Sequence, residues 1–181
     1  MNLARFLAEV CTRGGTPTRT QLEHAVGAIW SGAAEFQPFV DVVWPMVRAG
    51  TLRLSGLDLQ LGGITQHYPQ QALPNQLARH LDEPRRSECR TQLSRLTNWE
   101  FSEKSPYDET ARHALRRCLA DVLEGTASLP EGPENWNESQ MATNLTRFIE
   151  LSSQDYFNGR DLAMYQNLMW HQARFPGSRA I

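Results

Sequence analysis

The chain lacks the short motifs that announce chemistry. It contains no G-x-S-x-G elbow, no G-x-x-x-x-G-K phosphate loop and no G-x-G-x-x-G, so nothing in it reads as a strained nucleophile or a phosphate cradle. Gly62-Gly63 is more simply a turn. The five histidines are His24, His67, His80, His113 and His171, and none has a second His or a Cys three or four residues away. That is the spacing a metal site on one helix would use. The paired carboxylates Asp82-Glu83 and Asp108-Glu109 are sequence neighbours. Adjacent side chains on a helix point apart, which makes them poor acid–base partners. No catalytic residue, metal ligand or cofactor is expected.

Other absences bound the setting. No apolar run is long enough to span a bilayer, which excludes a membrane-spanning helix. The apolar stretch Leu3 to Val10 carries Arg5 and Glu9 inside it and does not read as a secretory signal. There are three cysteines, Cys11, Cys89 and Cys118, with no C-x-x-C. An odd number at wide spacing suggests reduced thiols buried in a core, and with them a cytoplasmic protein. Lysine is nearly absent: of 18 basic residues all but Lys104 are arginine.

What is present is helical periodicity. Leu3, Phe6, Leu7, Val10 and Cys11 give residues Asn2 to Arg13 one apolar face, ended by Gly14-Gly15. Thr18 followed by Gln21 forms a capping box, and Leu22, Ala25, Val26, Ile29 and Trp30 continue at helical spacing until Gly32. A third helix is predicted from Phe36, Phe39, Val40, Val43, Met46 and Val47. Pro45 lies inside it, where it removes a hydrogen bond at ~3 kcal/mol, so a kink or break is expected near Trp44. After Gly50 the period changes to two: Leu52, Leu54, Leu57, Leu59 and Leu61 alternate with polar residues on either side of Ser55-Gly56. Alternation across a glycine-containing turn signals a hairpin.

That order resembles the winged helix-turn-helix superfamily, notably in Val43-Trp44-Pro45-Met46-Val47-Arg48-Ala49-Gly50-Thr51-Leu52. The resemblance covers the first third of the chain. It implies a module over residues 1–63 with one β-hairpin as its wing. A linker follows at 64–75 and a helical region at 76–181, giving a mainly α protein whose two parts share one core. Residues 1–63 hold five Arg (5, 13, 19, 48, 53) and five acids (9, 23, 35, 41, 58). A neutral module is a weak starting point for binding phosphate. Arg19, Arg48 and Arg53 would have to converge on one face to read DNA.

The second half supplies further helices. Leu73–Leu81 and Pro84–Leu96 show apolar residues at helical intervals, and Pro106–Glu124 carries the widest stripe, with Ser105 as its cap. Leu129–Trp136 reads as a loop, Asn137–Leu151 as a helix, and a last helix starts near Asn158. Arg85, Arg86 and Arg90 form the densest basic patch, interspersed with Asp82, Glu83 and Glu88. Trp136, placed in a loop, is the candidate interface anchor, since Trp is enriched among residues that dominate binding energy. The function these features favour is non-catalytic: an adaptor or regulatory subunit that binds a protein partner. The alternatives are a DNA-binding regulator that forms a homodimer through its C-terminal helices, and a subunit of an enzyme whose site is assembled from distant residues.

Overall fold

A computed structural model describes residues 18–26, 32–59, 70, 72–151, 155–177 and 179. The helix expected at Asn2–Arg13 and the end of the helix reaching Trp30 lie outside these. In chain order the helices are α1 (Arg19–Val26), a 3-10 turn (Ala34–Phe36), α2 (Gln37–Arg48), α3 (Leu73–Leu77) with a 3-10 continuation (Ala78–His80), α4 (Arg85–Thr97), α5 (Glu109–Ala127), α6 (Pro133–Glu150) and α7 (Tyr156–Arg174).

The main core is built by α3 to α6. Each contributes residues at the three- and four-residue intervals that put side chains on one helix face: Leu73 and Leu77; Cys89, Leu93 and Leu96; Leu115, Cys118, Leu119 and Val122; Met141, Ala142, Leu145 and Ile149. Phe101 and Tyr107, from the α4–α5 connection, pack against its edge. Helix α5 starts later than the sequence suggests. Ser105 is taken by a two-residue bridge with Ser102, whose backbone groups exchange hydrogen bonds of 3.0 and 3.1 Å. The cap is Asp108, whose Oδ1 accepts the Ala111 N–H at 2.9 Å. Gly125 sits inside α5 where the 3-10 turn passes: a Cβ there would lie 3.7 Å from Leu81 Cδ2 and 3.8 Å from His80 Cβ. Helix α6 starts at Pro133, which accepts the first helical position readily. Trp136 therefore lies on the first turn of a helix, not in a loop.

The β-hairpin is overturned. No strand occurs among the described residues, and Leu52 to Leu59 forms no ladder; the remainder of the expected hairpin, Gln60 to Gly63, lies outside them. The fold is helical without the winged module. The segment after α2 instead runs as a strap along α7, in the opposite direction. Arg53 lies 4.3 Å over the Phe175 ring, Ser55 Oγ meets His171 Nε2, the Leu57 carbonyl accepts Asn167 Nδ2 at 2.7 Å, and Asp58 pairs with Arg160. The alternating leucines do have alternating tasks. Leu52 and Leu54 pack on Val43 and Val47 of α2, while the polar residues between them reach α7. Alternation thus records an extended chain held between two helices, a state that shares the period of two with a strand.

The expected break at Pro45 is also absent, since α2 runs through it to Arg48. The helix ends at Ala49–Gly50, where Gly50 takes the left-handed backbone (φ 70) that glycine tolerates. The cysteine reading needs a correction too. Cys89 on α4 and Cys118 on α5 are joined as a disulfide, with Cα atoms 4.9 Å apart, and Cys11 lies outside the described residues. A disulfide persists in oxidising surroundings, so the cysteines no longer speak for a reducing compartment.

Candidate functional site

One fully buried charge stands in the core. Glu138 occupies α6 in the same helical register as Met141, Ala142, Leu145 and Ile149 and is 0% exposed. An ionised carboxylate in such a place must be neutralised and hydrogen-bonded. Gln76 Nε2 donates to its Oε1, Arg79 Nη2 lies 2.8 Å from the same oxygen, and His80 Nε2 is 3.0 Å from Oε2. His80 Nε2 is also 2.8 Å from Arg79 Nε. One ring nitrogen cannot both accept from the guanidinium and donate to the carboxylate. With a proton on Nε2 the ring donates to the carboxylate; without it, the ring accepts from the guanidinium. Arg79 reaches outward as well, 3.4 Å from Glu134 Oε2. Three side chains from α3 and its 3-10 continuation thus converge on one residue of α6. The arrangement clamps that turn onto the bundle and leaves the carboxylate fully engaged. Among the described residues no group of three or more His, Cys, Asp or Glu could hold a metal ion.

A second charged cluster closes the other end of α5 and α6. Arg116 bonds both Glu109 and Glu150, and Arg112 Nη2 lies 3.2 Å from Glu109. The hydrogen bonds from Arg116 hold both carboxyls below the usual carboxylate range and keep the guanidinium charged. Tyr107, whose hydroxyl is buried beside them, has its ionisation pushed up, first by burial.

The arginines picked from the sequence have different surroundings. Arg19 is held by Glu23, Asp41 and Gln37, tying α1 to α2. Arg53 is stacked on Phe175, and Arg48 is exposed at the end of α2. Two of the three are thus engaged within the fold. In the basic patch, Arg86 Nε donates to the Leu81 carbonyl at 2.7 Å, Arg85 lies 4.0 Å from Asp82, and Arg90 is exposed. Trp136 is half-buried, with Arg174 of α7 lying 4.5 Å over its ring. It joins α6 to α7.

Sequence reasoning missed the uncovered apolar faces. On α7, Leu162, Tyr165 and Met169 stand at i, i+3 and i+7 and remain 44–59% exposed. The opposite side is anchored by buried Ala163 and Asn167, the latter accepting Gln140 Nε2 of α6 at 2.7 Å. On α2, Phe39, Val42 and Met46 repeat the spacing and are also exposed. In the sequence Phe39 and Met46 mark only the helical spacing of the third predicted helix. Their periodicity is correct, but both helices are apolar on two sides, and composition does not say which side faces inward.

Sequence reasoning places Trp99 in a loop without singling it out. It follows the α4 cap Asn98 with φ 52, in the position where a helix-ending motif favours glycine. Trp99 N–H bonds the Leu96 carbonyl at 3.2 Å and Glu100 N–H the Arg95 carbonyl at 2.8 Å, completing that motif. A non-glycine residue there costs ~1–2 kcal/mol, yet the indole is 58% exposed.

No protein-family model, no curated protein and no solved structure matches the chain. The functional reading therefore rests on the geometry.

Proposed function

We propose that this protein is a non-catalytic adaptor or regulatory subunit, and that it binds a partner protein through the outer face of α7. The observation that supports this reading is the stripe Leu162, Tyr165 and Met169. Singly exposed apolar residues are ordinary, but three aligned on one helix face mark an interaction surface. Their spacing is that of the anchors by which an amphipathic helix seats in a partner's apolar groove. The inner face of α7 is fixed by Asp58–Arg160, Asn167 and Arg174, so the stripe is presented on a held helix.

The test is the double substitution Leu162→Glu and Met169→Glu in the full chain. Far-UV circular dichroism should stay unchanged, because both residues are exposed. A partner identified by mass spectrometry with the native chain should be lost with the variant. Sedimentation analysis separates the remaining case: if a second copy is the partner, the native chain is a dimer and the variant a monomer. A variant that keeps both its partner and its association state overturns the proposal.

A further inference from the structure

The connection from α4 to α5 carries an aromatic cluster that the core explains only in part. Phe101 and Tyr107 are half-buried against the core and 4.9 Å apart between ring centroids. Trp99 stands on both, 5.4 Å from each, and more than half of it remains in solvent. Its left-handed backbone is the conformation glycine would supply without a side chain. The exposed indole is thus held in place by a strained residue and two rooted rings.

The chain shows what these rings accept. Arg95 lies 4.9 Å over Phe101, Arg174 lies 4.5 Å over Trp136 and 5.9 Å over Trp170, and Arg53 lies 4.3 Å over Phe175. Trp99 has no such cation among the described residues, although indole is the strongest acceptor of this kind. In the same connection Glu100 and Glu103 are exposed with no ion-pair partner among the described residues, the neighbouring cations being Lys104 and Arg95. Arg95 is already engaged, donating to Ser105 Oγ at 2.6 Å.

We propose that Trp99, flanked by Glu100 and Glu103, is a docking point for an arginine-bearing segment of a partner protein, whose guanidinium stacks on the indole while the two carboxylates neutralise it. This deepens the protein-binding reading and rests on it, but uses a different surface from α7.

The probe is a short peptide of alternating arginine and glycine, with a peptide of alternating glutamate and glycine as control. The readout is the indole N–H resonance of Trp99, assigned by its loss in Trp99→Gly. The arginine peptide should shift that resonance saturably at millimolar concentration, and the glutamate peptide should not. Peptide affinity, followed on backbone resonances of residues 98–107, should fall about five-fold in Trp99→Gly, as expected for one exposed cation–π contact. It should also weaken in the double variant Glu100→Gln, Glu103→Gln. Trp99→Gly suits the left-handed position, so loss of folding does not confuse the result. Equal shifts with both peptides, or none with the arginine peptide, overturn this inference. If partner capture still depends on Leu162 and Met169 in that event, the protein-binding reading stands and only the Trp99 assignment fails.

Discussion

Glu138 offers a test in which the order of two effects is fixed by burial. Arg79→Ala removes a cation from a carboxylate that is 0% exposed and stays behind. Breaking a buried pair in this direction costs ~3–5 kcal/mol. Arg79 itself reaches water and Gln76 and His80 remain as donors, which places the expected loss at the low end, about 3 kcal/mol. Glu138→Leu removes the buried charge instead. Arg79 and His80 are then free to turn toward solvent, and the Gln76 amide, 8% exposed, loses one of its partners, at ~1–3 kcal/mol. Burying a leucine in its place returns ~1.5–3 kcal/mol, so the net change should lie within about 1 kcal/mol of zero. Urea unfolding followed by circular dichroism reads both as shifts of the midpoint at constant slope. If Glu138→Leu costs as much as Arg79→Ala or more, the carboxylate is not the buried centre of the clamp, and the structural role assigned to it is wrong.

Two further outcomes follow from the same packing. Gly125→Ala should stabilise by ~0.5–1 kcal/mol, because a helix-interior glycine is replaced and the added Cβ meets Leu81 and His80 at ordinary contact distance; a lower urea midpoint would mean that the 3-10 turn sits closer to α5 than described. Burial lowers the pKa of His171, so the unfolded chain takes up the proton first and stability should fall as pH drops below about 6.5, the ordinary histidine value. The Ser55 contact makes the strap the part that loosens, and Trp170, edge-on to the His171 ring at 4.9 Å, should report it by fluorescence; a profile identical to that of His171→Gln would refute this.

The legible part of the sequence was the part governed by one helix period and one core. Leu73–Leu81, Pro84–Leu96 and the widest stripe fell within a few residues of α3 with its 3-10 turn, α4 and α5. The boundary errors have local causes. Ser105-Pro106 looks like a cap and first position, but the Ser105 backbone bridges to Ser102, its hydroxyl accepts from Arg95, and the capping acceptor is Asp108. Pro133 has the chemistry of a helix start and was outweighed by the neighbouring Pro130 and Gly132. Leu52 to Leu59 reads as a hairpin for a deeper reason: period two states only that the chain is extended, and the α7 residues that take the strap lie more than a hundred positions away. Glu138 did leave a signal. It falls in register with four apolar residues of α6, and a charge at a core-facing position calls for partners.

The buried Glu138 centre and the two open surfaces differ in how the fold treats them. The Glu138 centre is polar and closed, its charge met by donors from a neighbouring turn. The apolar stripe of α7 and the indole of Trp99 are open, and each is held on a supported element. In α7 the support is bidentate: Arg160 Nε donates to Asp58 Oδ1 at 2.8 Å and Nη2 meets Oδ2. At Trp99 it is the helix-ending motif and two rooted rings. A fold selected for stability alone gains little from a non-glycine residue in a left-handed position, or from apolar residues on the outer face of its last helix. Both departures fall on the surface, and neither falls at the buried charge. The proposed binding role would account for that distribution, because surfaces kept ready for a partner lose less conformational entropy when they associate.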